Sequence, residues 1–330
     1  MVARSTFLQL ALLPVLALSS PVIARGEESG FNYDSLDLRE VGARNTLDWR
    51  MWLEKNGQPI SFWHDIPLYP NKKNNRVVSF VVEIPRWTDG IVELRRDEPL
   101  NPIFHEAKES LPRFMESIWP HKSYPFHYGS IPQTWESPNF DHDFTERPGD
   151  NGPIDLFDIS GNSAYIGQVK HVKILGGIAL NHGREADWKV IGIDINDPLA
   201  ALVEDVSDLD KYRPGLSSDF YDWFHHQKVP GGEFITEVID GKYQKAKFVA
   251  KTVEKSHEFW GDLLRGTVHS TGINYNQTNN RELKESYVNS KNATQRFSIP
   301  KRSKILPAAE RPAKYDSWYY LNEDHELIQV

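Results

Sequence analysis

Carboxylates with the spacing of a cation site occur near the middle of the 330-residue chain. Asp150 and Asp155 lie five residues apart across a Gly/Pro turn that leads into an apolar run. Their oxygen atoms suit Mg²⁺, although the same residue types also form ordinary solvated turns. Asp187 lies two residues before Lys189, so both side chains point to one face of a strand. Such a pair could hold a metal ion and a phosphate oxygen together, or could form a surface ion pair.

Other segments carry residue types that bind cations or phosphate. Glu83 lies inside an apolar run, where it either faces solvent or is buried with a partner, and Glu93 follows it. Arg113, Tyr124 and Tyr128 lie close together in the sequence. A site for phosphate oxygens would use guanidinium and phenol groups, and an ordinary aromatic-rich loop also contains them.

Composition excludes several kinds of chemistry. The chain has no cysteine, which rules out disulfides, thiolate metal sites and cysteine nucleophiles. The formal net charge of −8 argues against a nucleic-acid partner, whereas divalent cations could still bring a small phosphate compound to an acidic site. The sequence contains no Walker-type loop, His-Glu-x-x-His motif or serine nucleophile elbow. The chemistry must therefore use carboxylates, Lys, Arg, His, Tyr or hydroxyl groups.

The elements that would position these residues are mainly strands. Short apolar runs cut by turn residues predict strands at Thr46–Leu53, Val77–Ile84, Ile91–Arg95, Ala164–Leu175 and Lys189–Ile195. Helical spacing predicts helices later in the chain, at Asp205–Tyr212, Ser217–His226 and Lys245–Leu264. The pattern indicates a small barrel or sandwich followed by helices.

The two ends of the chain differ from this central part. Residues 1–24 have a positive start, a short apolar run and a cleavage point, which predicts a signal peptide; a mitochondrial presequence is the alternative. Residues 25–40 are predicted to form a linker. Residues 267–330 are predicted to form a polar tail, flexible or wrapping, with a docking aromatic segment at 318–320.

Several ordered stretches between Val41 and Leu264 carry a family resemblance. These stretches are Gly42–Leu47, His64–Tyr69, Val81–Thr88, Pro132–Glu136, Gly149–Asp155, Gly167–Lys170 and Asp187–Pro198. Together they resemble family I soluble inorganic pyrophosphatases (inorganic diphosphatases) of the longer, eukaryotic type. The resemblance predicts one catalytic domain at 41–266.

The resemblance implies a mainly β, α+β fold, in which a five-stranded OB-like β-barrel has flanking α-helices. It also implies a site at the barrel mouth for pyrophosphate and several Mg²⁺ ions. The implied metal ligands are Asp150, Asp155, Asp187, Glu83 and Glu93. The residues implied to bind phosphate are Arg113, Tyr124, Tyr128, Lys189 and Lys228, with Lys189, Tyr128 and Arg113 catalytic. Metal-activated water would hydrolyse pyrophosphate to two phosphates.

Four positions depart from the family's pattern. Gly152 replaces an aspartate that orients the attacking water, and loss of a general base typically lowers the rate by about 10²- to 10⁴-fold. Ile91 replaces a lysine near the substrate. His182 replaces a fourth aspartate of the metal site, which could favour Mn²⁺ or Zn²⁺ because imidazole is a poorer Mg²⁺ ligand. Gln227 replaces a tyrosine before Lys228.

Two classes of function therefore stay open. The first is a Mg²⁺-dependent inorganic diphosphatase that is slower or differently metalled than its relatives. The second is a pseudoenzyme that keeps the fold and binds phosphate or metal without useful turnover. A different phosphoanhydride hydrolase on the same scaffold is a third reading.

The sequence also makes predictions about location and assembly. The leader and two Asn-X-Thr sequons, at Asn276 and Asn292, predict a glycoprotein of the secretory pathway, in the ER lumen or outside the cell. Mitochondrial and cytoplasmic locations are the alternatives. The apolar run of the leader is too short for a stable membrane span. The Arg86-Trp87 pair resembles the contact residues of the family's homodimer, so a homodimer is predicted.

Overall fold

A computed structural model describes residues 30–328 of the chain. The predicted signal peptide at 1–24 lies outside these residues, as do positions 25–29 of the predicted linker. The strands in chain order are β1 (Leu36–Ala43), β2 (Arg50–Lys55), β3 (Gln58–Ile60), β4 (Val77–Ile84), β5 (Val92–Leu94), β6 (Ile103–His105), β7 (Ala107–Lys108), β8 (Leu111–Pro112), β9 (Ser117–Ile118), β10 (His127–Ser130), β11 (Asp155–Asp158), β12 (Val169–His182), β13 (Glu185–Asp194), β14 (Glu237–Val238), β15 (Gln244–Lys245), β16 (Lys304–Leu306) and β17 (Trp318–Tyr319). The α-helices are α1 (Leu209–Tyr212), α2 (Leu216–His226), α3 (Ala246–Leu264) and α4 (Ser290–Arg296).

Five strands form a closed ring of hydrogen-bonded neighbours. β4 pairs with β10, β10 with β11, β11 with β13, β13 with β12, and β12 again with β4. All of these pairs are antiparallel except β11 with β13. The backbones of β4 and β10 approach closely at Gly129, where a Cβ atom would lie 1.9 Å from the carbonyl oxygen of Val81. The predicted mainly β, OB-like fold is confirmed.

The predicted strands of the ring are present, some with shifted ends. β4 coincides with the predicted strand Val77–Ile84, because this run of branched side chains is buried on both faces. β12 begins and ends later than the predicted Ala164–Leu175, and β13 begins at Glu185. The prediction that this last strand begins at Lys189 is wrong. Asp187 and Lys189 are buried within β13, so the apolar pattern does not mark where it begins.

Helix α3 covers one outer face of the ring. Val249 and Val253 are fully buried and belong to the same core cluster as Phe80, Trp188 and Val190. This apolar stripe recurs at helical spacing and explains why the helix could be predicted. No helix among residues 30–328 is long and apolar enough to cross a membrane.

The other two predicted helices agree with the structure to different extents. α2 ends at His226 as predicted and begins one residue before the predicted Ser217. The predicted helix Asp205–Tyr212 is only partly α-helical, since a 3₁₀ turn at Val206–Asp208 precedes α1. Asp205 and Asp208 cap this turn reciprocally, which satisfies the backbone groups locally.

The tail wraps around the second sheet, whose strand order is β16, β1, β2, β6, β5. β16 pairs in parallel with β1, and β17 pairs with β9. β1 begins at Leu36, so the last five positions assigned to the linker are part of this sheet. Asp65 is fully buried and accepts hydrogen bonds from the backbone N–H groups of Thr278 at 2.7 Å and Asn279 at 3.1 Å. Buried polar contacts therefore order a segment of polar composition.

Candidate active site

One cavity opens at the end of the ring where β11 and β13 begin. Its volume is about 230 Å³. Its lining includes all ten residues that the sequence predicts for the site, Glu83, Glu93, Arg113, Tyr124, Tyr128, Asp150, Asp155, Asp187, Lys189 and Lys228. The structure therefore brings these side chains together, whereas their chemical roles stay predictions.

The parallel pairing of β11 with β13 sets the centre of the cavity, because it places Asp155 opposite Lys189. Lys189 Nζ donates to Asp155 Oδ2, and to Asp187 Oδ1 at 2.7 Å. The Tyr128 hydroxyl donates to the same oxygen of Asp155 at 2.7 Å. Burial disfavours the charged form of Lys189, but the two carboxylates outweigh burial and hold its pKa well above the ordinary value.

Asp150 is fixed by the tight turn that the sequence pattern indicates. Its Oδ1 accepts a hydrogen bond from the N–H of Gly152 at 2.8 Å. Asn151 has φ of 72°, a left-handed conformation that Asn tolerates better than most residues. The side-chain oxygen of Asn151 accepts from Trp135 Nε1 at 2.9 Å and from the Ser270 hydroxyl at 2.6 Å. A residue of the tail thus helps to hold the carboxylate in place.

Glu136 joins Asp150 and Asp187 in a group that could hold a metal ion. One carboxylate oxygen from each residue lies within 4.8 Å of the other two. Glu136 is buried, and its Oε2 has no hydrogen-bond partner among the described residues. A buried carboxylate oxygen without a partner is unfavourable, and a cation would offset that cost. Oxygen-only donors suit a hard divalent cation, so these residues fit the Mg²⁺ that the resemblance implies.

Four carboxyl groups in or beside the cavity, Glu83, Glu93, Glu136 and Asp150, have raised pKa values. Burial and then neighbouring carboxylates raise the pKa of Asp150 to about 7 and that of Glu93 to about 8. Burial also raises the pKa values of Glu83 and Glu136 well above the ordinary value. The Ser130 hydroxyl donates to Glu83 Oε1 at 2.8 Å, which favours the ionised form only in part. Several acids crowded away from water are typical of functional sites.

Two partly buried cations also line the cavity. Arg113 Nη1 donates to Glu106 Oε2 at 2.9 Å. Lys228 Nζ contacts His182 Nε2, and His182 Nδ1 lies 3.9 Å from Asp187 Oδ2. Burial and then the charge of Lys228 lower the pKa of His182, so His182 is neutral near pH 7 and its Nε2 accepts from Lys228.

Tyr124 and Tyr128 lie side by side, with ring centroids 5.2 Å apart. Burial raises the pKa of both phenols above the ordinary value. Both hydroxyl groups therefore keep their protons near neutral pH. The Tyr124 hydroxyl is suited to donate a hydrogen bond to an anion, whereas the single O–H donor of Tyr128 points to Asp155.

The cavity contains more acids than bases. The carboxylates of its lining are Glu83, Glu93, Asp150, Asp155 and Asp187, and the cationic side chains are Arg96, Arg113, Lys189 and Lys228. Glu136 adds a further carboxylate beside this lining. A phosphate anion alone would be repelled by the acids, whereas bound divalent cations would invert the local charge and attract it.

The four positions that depart from the family's pattern line the same cavity, namely Ile91, Gly152, His182 and Gln227. A Cβ atom built on Gly152 would lie 3.1 Å from Asp150 Oδ1, so an aspartate at this position would place a further carboxylate beside Asp150. Ile91 is buried and apolar, and Gln227 is buried and uncharged. Ile91, Gly152 and Gln227 have no titratable side chain, so none of the three can act as the general base that the resemblance implies.

Sequence reasoning missed two residues of the site. Glu136 lies in one of the family-like stretches, but no local pattern marks it as part of a carboxylate group. Arg96 lines the cavity and donates to the backbone oxygen of Asp150 at 3.0 Å. Its position three residues after Glu93 is the one signal that could have indicated it.

Comparisons with known proteins identify the family of the chain. The family model described as inorganic pyrophosphatase matches residues 80–261. An inorganic pyrophosphatase of Debaryomyces hansenii is 38% identical over 88% of this chain and 100% of its own length. The structure of inorganic pyrophosphatase from Schistosoma japonicum has a TM-score of 0.78 and 31% identity, and the match covers 86% of this chain and 100% of that one. A truncated vacuolar soluble pyrophosphatase of Trypanosoma cruzi in complex with PPi has a TM-score of 0.63 and 30% identity, over 79% of this chain and 99% of its own.

Proposed function

Because the chain belongs to the inorganic pyrophosphatase family, we propose that it hydrolyses inorganic pyrophosphate to two phosphates with the aid of Mg²⁺. The observation that carries this proposal is the convergence of Asp150, Asp155 and Asp187 on one cavity that also contains Arg113 and Lys228. Acids that gather cations, together with basic groups, suit a small anion with two phosphate groups.

Mg²⁺ would be held by Asp150, Asp155 and Asp187, with Glu83 and Glu93 serving further ions. When bound, such ions supply a nucleophilic water at neutral pH and offset the charge of pyrophosphate. Because the pKa values of Asp150 and Glu93 are raised to about 7 and about 8, ion binding must displace protons from these carboxyl groups. We therefore expect Mg²⁺ affinity to rise with pH.

The chain's own side chains would orient the reactants. Lys189 and the Tyr128 hydroxyl fix Asp155 through two hydrogen bonds. Arg113 and Lys228 would bind phosphate oxygens through their N–H groups. Water forms a bond to one phosphorus while the bridging P–O bond breaks, and the proton of water passes to a product phosphate. The cationic side chains that bind the phosphate oxygens would also stabilise the negative charge that develops on the bridging oxygen as its bond to phosphorus breaks.

A catalytically impaired protein that retains phosphate or metal binding is the second candidate function. Gly152 favours it, because glycine has no side chain that could orient water. Ile91 also places a buried apolar side chain in the lining. The group of Glu136, Asp150 and Asp187 does not include either position, so metal binding would survive in this case.

An assay of the purified full chain tests the proposal. Phosphate release from pyrophosphate would be measured with Mg²⁺, Mn²⁺ or Zn²⁺, and Asp150→Asn would serve as the blank. We expect release above the blank with Mg²⁺. Release only with Mn²⁺ or Zn²⁺ would keep the hydrolase activity and reject the Mg²⁺ assignment.

Two further variants separate the candidate functions. If the wild type does not exceed the blank but the double variant Gly152→Asp/Ile91→Lys does, the protein is an impaired pyrophosphatase on an intact scaffold. No release from either protein, together with no effect of Mg²⁺ or phosphate on the melting temperature, would reject both candidates.

We also propose that the protein enters the secretory pathway and forms a homodimer. The leader and the two sequons support the first proposal. The second is supported by the exposed Trp87 ring, on which Arg86 packs with its guanidinium carbon 4.6 Å from the ring centroid. Protein found in the cytosol with its leader attached would contradict the first. A single-chain mass in sedimentation at micromolar concentration would contradict the second.

A further inference from the structure

The carboxylate of Glu233 lies between two cations of the candidate site. Its Oε1 lies 4.0 Å from Arg113 Nη2, and its Oε2 lies 3.8 Å from Lys228 Nζ. Arg113 follows β8 and Lys228 follows α2, so one carboxylate joins two segments that are more than 100 residues apart. Both cations belong to the cavity in which the phosphate groups would bind.

Glu233 is carried by a short loop, residues 229–236, that folds back over Lys228. The backbone N–H of Glu233 donates to the Lys228 carbonyl at 3.3 Å, and the N–H of Thr236 donates to the His225 carbonyl at 3.0 Å. Gly232 adopts a φ of 85°, which permits the sharp reversal. The next side chain, Phe234, is 96% exposed and therefore does not anchor the loop in the core.

Glu233 differs from the other acids that face these cations. Glu106 makes a direct hydrogen bond of 2.9 Å to Arg113, whereas both contacts of Glu233 exceed hydrogen-bond distance. Among residues 30–328, Glu233 is the only carboxylate that forms an ion pair with Lys228. The side chain of Glu233 is also 46% exposed, so water screens both contacts. The carboxylate of Glu233 therefore lies near both cations without a direct hydrogen bond to either.

We propose that Glu233 occupies a phosphate position of the free protein, between Arg113 and Lys228, and competes with phosphate for these two cations. The inference rests on the proposed function, since it concerns the same cavity. A phosphate group carries about −1.5 to −2 charges and three acceptor oxygens, so it outcompetes a single, half-exposed carboxylate. Glu233 then weakens the binding of phosphate and favours release of the product.

Binding of inorganic phosphate tests this inference. Isothermal titration with inorganic phosphate in saturating Mg²⁺ would compare the full-length wild type with Glu233→Gln, which keeps the shape of the side chain and removes its charge. Glu258→Gln is the matched control, because Glu258 is an exposed acid on α3 paired with Lys255 at 2.9 Å. We expect Glu233→Gln to bind phosphate about three- to tenfold more tightly and Glu258→Gln to bind like the wild type.

Steady-state kinetics with pyrophosphate and Mg²⁺ give an independent readout. The inference predicts that Glu233→Gln lowers KM by a similar factor. Equal phosphate affinity in Glu233→Gln and Glu258→Gln, or weaker binding in Glu233→Gln, would overturn it. Glu233→Ala provides a second variant if Glu233→Gln does not fold. If no protein hydrolyses pyrophosphate but Glu233→Gln still binds phosphate more tightly, the hydrolase proposal fails and this inference stands.

Discussion

The two ends of the same pair of strands carry similar charged groups that serve different purposes. β11 and β13 run parallel, and at each end two of their aspartates contact a lysine, which belongs to β12 at one end and to β13 at the other. The inner cluster consists of Lys170, Asp158 and Asp194. The site cluster consists of Lys189, Asp155 and Asp187.

The inner cluster is closed and fully partnered. Asp158 Oδ1 accepts from the backbone N–H groups of Ser160 and Asp194, each at 3.0 Å. Its Oδ2 accepts from the Ser160 hydroxyl at 3.0 Å and from Lys170. The three side chains are buried, and none of them lines the candidate active-site cavity. The described contacts of the inner cluster leave no group free to bind a ligand, and the loss of one partner would leave a buried charge uncompensated.

The site cluster has the same core but an excess of acids around it. Asp150, Glu136, Glu83 and Glu93 add carboxylates that the neighbouring cations do not neutralise. Their raised pKa values, and the lack of a hydrogen-bond partner for Glu136 Oε2 within residues 30–328, indicate that the excess is unfavourable without a further cation. Charge balance, and not the presence of buried charge, therefore separates the structural cluster from the candidate binding site.

The largest effect is expected from removing the lysine of the inner cluster. Lys170→Met leaves two buried aspartates without a cation, so the free energy of unfolding should fall by about 3–5 kcal/mol. Denaturant titration measures this change. The exposed Lys255→Met is the control and should cost less than about 1 kcal/mol. If Lys170→Met also lowers the free energy of unfolding by less than about 1 kcal/mol, the inner cluster does not have the structural role assigned to it.

Replacing one aspartate at each end should have opposite consequences. Asp187→Asn should lower the pyrophosphatase rate by about 10²- to 10³-fold, because it removes a predicted metal ligand. The stability of its metal-free form should stay equal or rise, since one of several crowded charges is lost. Asp194→Asn should instead destabilise the protein by at least about 1 kcal/mol. Denaturation in EDTA and activity assays of both variants check this contrast, which equal destabilisation of the two would break.

The excess of acids at the site end should make the stability of the metal-free protein depend on pH. Burial and the neighbouring carboxylates raise the pKa of Asp150 to about 7, against about 3.9 in the unfolded chain. Between these values the folded protein binds more protons, so this group's contribution to stability decreases as pH rises from 4 to 7. In EDTA, the wild type should lose about 1–3 kcal/mol relative to Asp150→Asn between pH 5 and pH 8.

This difference between two proteins isolates Asp150, because the buried histidines titrate in both. Saturating Mg²⁺ should abolish the loss, since the cation holds the carboxylate ionised. A stability difference that stays constant with pH in EDTA would show that Asp150 is not held protonated in the metal-free site.

A smaller effect is expected from loosening the turn that holds Asp150. Asn151→Gly tolerates the φ of 72° but removes the bonds to Trp135 and Ser270. We expect a loss of about 1 kcal/mol in stability and a few-fold weaker Mg²⁺ binding. Calorimetric titration with Mg²⁺ measures the second quantity, and unchanged affinity would mean that the turn does not position the carboxylate.

The sequence predicted the members of the site cluster better than their arrangement. The turn around Asp150 and the spacing of Asp187 and Lys189 are local patterns that mark candidates, and the family resemblance assigned them to one site. That Asp155 lies opposite Lys189 depends on strand register, which joins residues far apart in sequence. Glu136 approaches Asp150 and Asp187 only in the folded structure, and no local sequence pattern would select it.

The contacts of the tail could not be predicted from its composition. Its polar composition is typical of a flexible segment, yet Thr278 and Asn279 cover the buried carboxylate of Asp65. Ser270 also contacts the turn at Asn151. Composition counts polar groups, but it does not reveal whether each group has a buried partner. The contribution of the tail to the site could therefore not be predicted.

The most direct test of the account is the position of a bound cation. Crystals of the full chain grown or soaked with Mn²⁺ would be measured at a wavelength where manganese scatters anomalously. We expect an anomalous peak within coordination distance of carboxylate oxygens of Asp150, Asp155 and Asp187. Full occupancy of manganese elsewhere, with these three side chains turned apart, would contradict it.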